Sequence, residues 1–129
     1  MDKIRGWCVL AVVACVGCGD SNMSGGGGGD TPTDQATAVR QASETNCNTY
    51  QECGSIGPDK TYVSYDDCMT RRLAFWNERW PASACTQRIS QSPLSQCLNA
   101  LGTLSCNSLI DELKVNNEYC PQANICAGP

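Results

Sequence analysis

The chain has 129 residues with 11 cysteines and no histidine, and its formal net charge is −4. So high a cysteine content in so short a chain is typical of a disulfide scaffold built around one small core. The absence of histidine excludes the Ser-His-Asp and Cys-His nucleophile systems and histidine-ligated zinc.

Residues 1–17 are interpreted as an export signal. Lys3 and Arg5 precede an apolar run that is too short to span a bilayer as a stable helix. The run ends in small residues directly before cysteine, and there it resembles the lipobox of bacterial lipoproteins. Both Cys15 and Cys18 fit that pattern. We favour Cys18 as the lipidation site, because cleavage before it leaves eight further cysteines, an even number, for an oxidising compartment.

The lipobox resemblance implies several acyl chains on Cys18, which anchor a protein to a membrane without spanning it. In the better-known lipoprotein sorting systems, an Asp directly after the lipidated cysteine favours retention in the inner membrane. Gly19 holds that position here and Asp20 follows it. We therefore expect a cell-envelope location, with the outer membrane favoured over the inner.

Residues 18–32 are expected to form a flexible tether behind the lipidated cysteine. This segment contains five consecutive glycines at positions 25–29 and has almost no apolar side chain to bury. No Gly-Lys-Ser or Gly-Lys-Thr follows the glycines, so a phosphate-binding loop is not expected.

Residues 33–129 are expected to fold as an all-α domain, a small disulfide-stapled bundle of about four helices. The start of helix one is predicted at Thr31, which would be its N-cap. Pro32 would then be the first helical residue, and Asp34 would be an acidic residue in the first turn. Gly54 is expected to end that helix in a left-handed conformation.

Helix two is predicted between Ser64 and Trp80. Ser64 and Asp67 resemble a capping box, and Pro81 prevents the helix from continuing. We expect no strand, because no stretch alternates apolar and polar residues for long enough.

Two shorter helices are predicted in the last third of the chain. Ser92 and Pro93 are expected to open helix three, and Gly102 to stop it. Ser108 is expected to cap helix four. The apolar residues assigned to helix four are Leu109, Ile110, Leu113 and Tyr119.

The cysteines downstream of Cys18 are expected to form four structural disulfides. None of them has the Cys-x-x-Cys spacing that is typical of zinc knuckles and thioredoxin-like redox centres. An exported chain also meets oxidant rather than the reducing cytosol. These cysteines are Cys47, Cys53, Cys68, Cys85, Cys97, Cys106, Cys120 and Cys126.

Helix geometry restricts the pairing of these cysteines. Cys47 and Cys53 lie six residues apart on one helix, about 9 Å of rise, so they need different partners. If the next loop turns the chain back, the end of helix one meets the start of helix two, which predicts Cys53–Cys68. Cys85–Cys97 is the second predicted pair, and the pairing of the other four cysteines is left open.

The segment that ends at Pro81 contains both tryptophans outside the export signal. Trp76 and Trp80 share a helical face, with Arg72 and Arg79 nearby. We favour the interpretation that both indoles belong to the core, because few other large apolar residues are available. The alternative is an exposed interaction face for a protein or glycan partner.

Adjacent acidic residues offer the nearest approach to a catalytic pair. Asp66 and Asp67, like Asp111 and Glu112, diverge by about 100° on a helix, so they do not flank one substrate. Acids near helix starts are also the ordinary dipole-favoured choice. We therefore expect no catalytic residue, no metal site and no cofactor.

Several motifs give the chain a family resemblance: YQECGSIG at residues 50–57, Y-x-S-Y-x-x-C at 62–68, W-N-x-x-W-P at 76–81 and C-L-x-A-L at 97–101. With the tether, these motifs resemble small cysteine-rich lipoproteins of myxobacteria, some of which carry the label natural product biosynthesis lipoprotein. The resemblance covers roughly residues 45–127. It implies no established activity and no catalytic residue.

The expected function is that of a non-enzymatic, lipid-anchored envelope protein whose helical domain binds another protein or a glycan. Removing residues 1–17 leaves 12 acidic and 7 basic side chains, a net charge of −5, which argues against a nucleic-acid partner. The alternatives are a small histidine-free envelope enzyme and an exported inhibitor or toxin.

Overall fold

The structure is a computed structural model that describes residues 33–85 and 89–127. The expected export signal, both candidate lipidation cysteines and the expected tether lie outside the described residues. Within the described residues, no helix combines the length and the apolar character needed to cross a membrane.

The described residues form an all-α domain, as predicted. They contain two isolated β-bridges, Thr33 with Ile89 and Ile56 with Tyr62, but no strand. Two single-turn helices, Ala82–Cys85 and Gln122–Ile125, were not predicted from the sequence. The elements in chain order are α1 (Gln35–Glu52), α2 (Tyr65–Arg79), α3 (Ala82–Cys85), α4 (Gln91–Gly102), α5 (Leu109–Lys114), a π-helical turn (Val115–Tyr119) and α6 (Gln122–Ile125).

Helix α1 begins later than the sequence predicted. Its N-cap is Asp34, whose carboxylate accepts a hydrogen bond from the Thr37 N–H at 2.9 Å. Thr33 donates its N–H to the Ile89 carbonyl at 2.8 Å, which holds the chain outside the helix just before this cap. At the other end Gly54 adopts a φ of +67°, so its predicted left-handed role is confirmed.

The other helix starts agree closely with the capping signals. Ser64 accepts from the Asp67 N–H at 3.1 Å, and Ser108 accepts from the Asp111 N–H at 3.2 Å. Helix α4 begins at Gln91 rather than at Ser92. Pro93 therefore lies within its first turn, where the missing N–H of proline breaks no helical hydrogen bond.

The main core forms where α1 packs against α2 on one side and α4 on the other. Trp76 and Trp80 are fully buried there, with ring centroids 4.4 Å apart. The Trp80 indole N–H donates to the Cys120 carbonyl at 3.1 Å, and the Trp76 indole N–H donates to Asn46 Oδ1 at 2.9 Å. Burial of both indoles agrees with the core interpretation of this segment.

All eight downstream cysteines are paired, but both predicted pairs are wrong. The four disulfides are Cys47–Cys68, Cys53–Cys106, Cys85–Cys126 and Cys97–Cys120.

The loop between α1 and α2 explains the first error. It folds back on itself through the Ile56–Tyr62 bridge, so α2 starts beside α1 rather than at its end. Cys68, which lies in the first turn of α2, consequently meets Cys47, with Cα atoms 5.9 Å apart. The second error arises because the π-helical turn packs against α4 and ends beside Cys97, so Cys97 bonds to Cys120 and Cys85 bonds to Cys126.

Helix α5 does not pack as the sequence predicted. Leu109, Ile110 and Leu113 are exposed by 77%, 79% and 62%, and Tyr119 in the π-helical turn is also exposed. No residue of α5 is buried. The packing role belongs to the following π-helical turn, where Val115 enters the core.

Candidate functional site

A cleft of about 320 Å³ opens between the C-terminal end of α1 and helix α5. The α1–α2 loop forms one wall, and residues 104–108 form the opposite wall. The side chains that line this cleft include Tyr50, Ser55, Thr61, Tyr62, Ser105, Leu109 and Glu112.

Two tyrosines form the aromatic side of the cleft. The rings of Tyr50 and Tyr62 stack with centroids 5.3 Å apart and planes 29° from parallel. Tyr62 is fixed through its backbone, since its N–H donates to the Ser55 carbonyl and its carbonyl accepts from the Gly57 N–H. The cleft therefore has a preformed aromatic wall.

Glu112 places a carboxylate in the same cleft. Its Oε1 accepts a hydrogen bond from the Tyr50 hydroxyl at 2.6 Å and another from Arg72 Nη1 at 3.3 Å. The Oε2 atom receives no donor from the other described residues. The Arg72 side chain is 9% exposed and that of Glu112 is 26% exposed, so the ion pair lies at the boundary between core and cleft.

A buried polar network holds the arginine of this ion pair. Asn46 Oδ1 accepts from Arg72 Nε at 3.2 Å, from Arg72 Nη2 at 3.1 Å and from the Trp76 indole. The Arg72 guanidinium also lies 4.2 Å from the ring centroid of Phe75. Because Arg72 is held on several sides, it fixes the position of Glu112.

Tyr50 acts in this arrangement as a neutral donor. Burial raises the pKa of its hydroxyl well above the ordinary value; the charge of Arg72 opposes this effect, and the hydrogen bond to Glu112 adds to it. The hydroxyl therefore stays protonated at neutral pH and keeps one Glu112 oxygen occupied.

A disulfide secures the wall formed by residues 104–108. Cys53, at the end of α1, is bonded to Cys106, with Cα atoms 5.3 Å apart. Cys106 is exposed, and Asn107 beside it has a φ of +67°. The bond ties the start of α5 to the end of α1 and so defines the width of the cleft.

The residues of the alternative interaction face considered from the sequence have structural roles instead. Trp76 and Trp80 are inaccessible, and Arg72 is buried in the Asn46 network. Arg79 donates to the Asn116 carbonyl, which connects α2 to the π-helical turn. These four side chains do not form an exposed surface.

The acidic residues considered from the sequence separate into different roles. Asp67 forms an ion pair with Arg71 at 2.9 Å and belongs to the cap of α2. Glu112, treated as an ordinary first-turn acid, instead enters the cleft. No local signal could have shown this, because Tyr50 lies 62 positions before it and Arg72 lies 40 positions before it.

Within the described residues, no group of three or more cysteine, aspartate and glutamate side chains is arranged to hold a metal ion. The domain is thus defined as a small, disulfide-stapled helical unit with a preformed polar and aromatic cleft. The chain belongs to a family of unknown function, DUF6184, whose model matches residues 47–128. No curated protein and no solved structure matches the chain. The matched range includes all eight paired cysteines together with Tyr50, Arg72 and Glu112.

Proposed function

We propose that the chain is a non-enzymatic, lipid-anchored protein of the cell envelope that binds a ligand in the cleft between α1 and α5. The observation that carries this proposal is the Glu112 carboxylate, whose Oε1 is fixed by Tyr50 and Arg72 and whose Oε2 receives no donor from the part of the chain that the structure describes. A pre-positioned polar group loses little conformational freedom when a ligand binds.

The other polar groups of the cleft support a binding role. The hydroxyls of Ser55, Thr61 and Ser105 line it and form no side-chain hydrogen bond with the other described residues. Together with the aromatic wall they provide the combination that is typical of ligand sites, an apolar surface with a few polar groups for orientation.

The composition of the cleft favours binding over catalysis. A carboxylate-based hydrolase uses two acids that flank the scissile bond. Among the described residues, Glu112 is the acid that lines this cleft, and one of its oxygens is already occupied by Tyr50 and Arg72. A link to natural product biosynthesis is proposed only from the label of the lipoproteins that the sequence resembles.

The disulfides support the lipid-anchored part of the proposal. The eight cysteines downstream of Cys18 pair completely with one another. Cleavage before Cys18 would therefore leave one cysteine without a disulfide partner, and that cysteine is one of the two that fit the lipobox pattern.

Site-specific photocrosslinking in the native host tests the binding role. A benzophenone amino acid is placed at Ser105 in the cleft. As a matched control, it is placed instead at Ala123, which is exposed and does not line the cleft. We expect an adduct from position 105 that is absent from position 123 and is reduced by Glu112→Gln. Equal adduct yields at both positions, with no effect of Glu112→Gln, would refute the proposed function.

A further inference from the structure

Helix α5 carries an exposed apolar surface directly beside the cleft. Leu109, Ile110 and Leu113 are exposed by 77%, 79% and 62%, and we call these three residues the α5 patch. Leu113 lies four residues after Leu109 and three after Ile110, so the three side chains are neighbours on the helix surface. A contiguous exposed apolar surface of this kind is typical of an interaction site.

The α5 patch and the cleft are continuous. Leu109 belongs to the patch and also lines the cleft. Glu112 lies three residues after Leu109, so the two side chains are neighbours on the helix surface, and the Glu112 carboxylate borders the patch on its Leu109 side. A partner that covers the patch therefore comes within reach of the Glu112 carboxylate.

Charge restricts the partner. The Glu112 Oε2 atom lacks a donor from the other described residues, and a cationic donor would complement it better than a neutral one. Without residues 1–17 the chain has a net charge of −5, which opposes both a second copy of the chain and an anionic lipid surface. A basic partner fits these conditions.

The apolar side of the surface selects the class of macromolecule. Three aliphatic side chains offer no hydrogen bond to the hydroxyl groups of a glycan, but they gain free energy when aliphatic side chains cover them. We propose that the α5 patch and Glu112 together form a docking site for a protein segment in which a lysine or arginine lies between aliphatic residues. This inference rests on the proposed function and specifies the partner of its cleft.

The test uses defined probes and the folded, disulfide-bonded domain. Acetylated and amidated Leu-Lys-Leu is titrated at millimolar concentration while NMR monitors the methyl groups of Leu109 and Leu113. Leu-Gln-Leu and Leu-Glu-Leu are the matched peptides. We expect saturable shifts with Leu-Lys-Leu, about tenfold weaker binding of Leu-Gln-Leu and no binding of Leu-Glu-Leu, since a charged hydrogen bond is worth more than a neutral one.

Variants separate the two parts of the docking site. Glu112→Gln should reduce the preference for lysine over glutamine, and Leu113→Ser should weaken binding of both peptides. The controls are Val63→Ser, which removes an apolar side chain that is 64% exposed and does not line the cleft, and the exposed Glu78→Gln. Both controls should bind Leu-Lys-Leu as the unmodified domain does.

Three results would overturn the inference. In the first, Leu-Glu-Leu binds as tightly as Leu-Lys-Leu. In the second, the methyl groups of the α5 patch do not shift when Leu-Lys-Leu is added. In the third, tetra-N-acetylglucosamine shifts these methyl groups and Leu-Lys-Leu does not. In the last case the cleft still binds a ligand and the proposed function stands. If neither probe binds and position 105 gives no specific adduct, the inference and the proposed function both fail.

Discussion

The stability of the variant Asn46→Ala can be predicted from the buried hydrogen bonds that join Asn46 to Arg72 and Trp76 beneath the cleft. Asn46 is fully buried, and its Oδ1 accepts three hydrogen bonds, one from the Trp76 indole and two from Arg72. Alanine removes the acceptor and leaves these donors without it in a site closed to bulk water. Arg72 keeps its contact with Glu112 at 3.3 Å, so part of its charge remains compensated.

The expected loss follows from these donors. A buried neutral donor without an acceptor costs about 1–3 kcal/mol, and a charged donor costs more. Asn46→Ala leaves one indole N–H and one partly compensated guanidinium without their acceptor. We therefore expect it to lower the free energy of unfolding by about 3–5 kcal/mol. A typical domain has only about 5–15 kcal/mol in total, so the loss would be a large part of the stability.

Guanidinium denaturation with the disulfides intact measures this loss, with circular dichroism as the readout. Asn48→Ala is the matched control, because Asn48 is exposed and its Oδ1 accepts, among the residues that the structure describes, only from the Tyr65 hydroxyl. This substitution should cost less than about 1 kcal/mol. Asn46→Asp retains an acceptor for Arg72 and should cost less than Asn46→Ala. A loss for Asn46→Ala no greater than that of the Asn48→Ala control would refute the reasoning.

Four further predictions concern the anchor, the core, the cleft wall and the cleft tyrosine. Cys18→Ala should abolish acylation; intact mass of the exported protein measures this, and lipid retained on the variant would contradict the assignment. Trp76→Ala should cost about 3–5 kcal/mol and lower the melting temperature; readily quenched, red-shifted emission from the unmodified domain would contradict the burial of its indoles. Replacing Cys53 and Cys106 together by serine should speed hydrogen exchange in residues 104–108 while the core stays protected; unchanged exchange there would show that the disulfide does not hold the wall. Because the pKa of Tyr50 is higher in the folded chain than its ordinary value of 10.0, the Tyr50 contribution to stability is complete below pH 10.0 and declines above it. Burial also raises the pKa of Tyr65, so absorbance at alkaline pH should show two tyrosines that ionise late, and Tyr50→Phe should remove the later of the two components.

The helix ends could be predicted well because their signals are local. A serine hydroxyl caps a helix by bonding an N–H only three residues away, as Ser64 and Ser108 do. Gly54 similarly needs only its own backbone freedom to take a positive φ. These interactions form within one turn, so a short stretch of sequence contains all the information that they require.

The disulfide pairs could not be predicted, because they depend on the path of the connecting loops. The predicted bond Cys53–Cys68 assumed that α2 starts at the end of α1. Because the connecting loop is closed by the Ile56–Tyr62 bridge, α2 instead starts alongside α1. The even number of cysteines predicted that all eight would pair, but an even number does not indicate which cysteine bonds to which.

The cleft depends on long-range packing in the same way, and helix α5 shows what this means for function. Because α5 buries none of its own residues, its position comes from the disulfide before it, the π-helical turn after it and the bonds of Glu112 to Tyr50 and Arg72. A helix held by its ends and one side chain does not need aliphatic residues for its own packing. Leu109, Ile110 and Leu113 nevertheless occupy half of its six positions and remain exposed. Exposed aliphatic side chains reduce solubility and add no core stability here, and their exposure therefore favours the docking site that we propose.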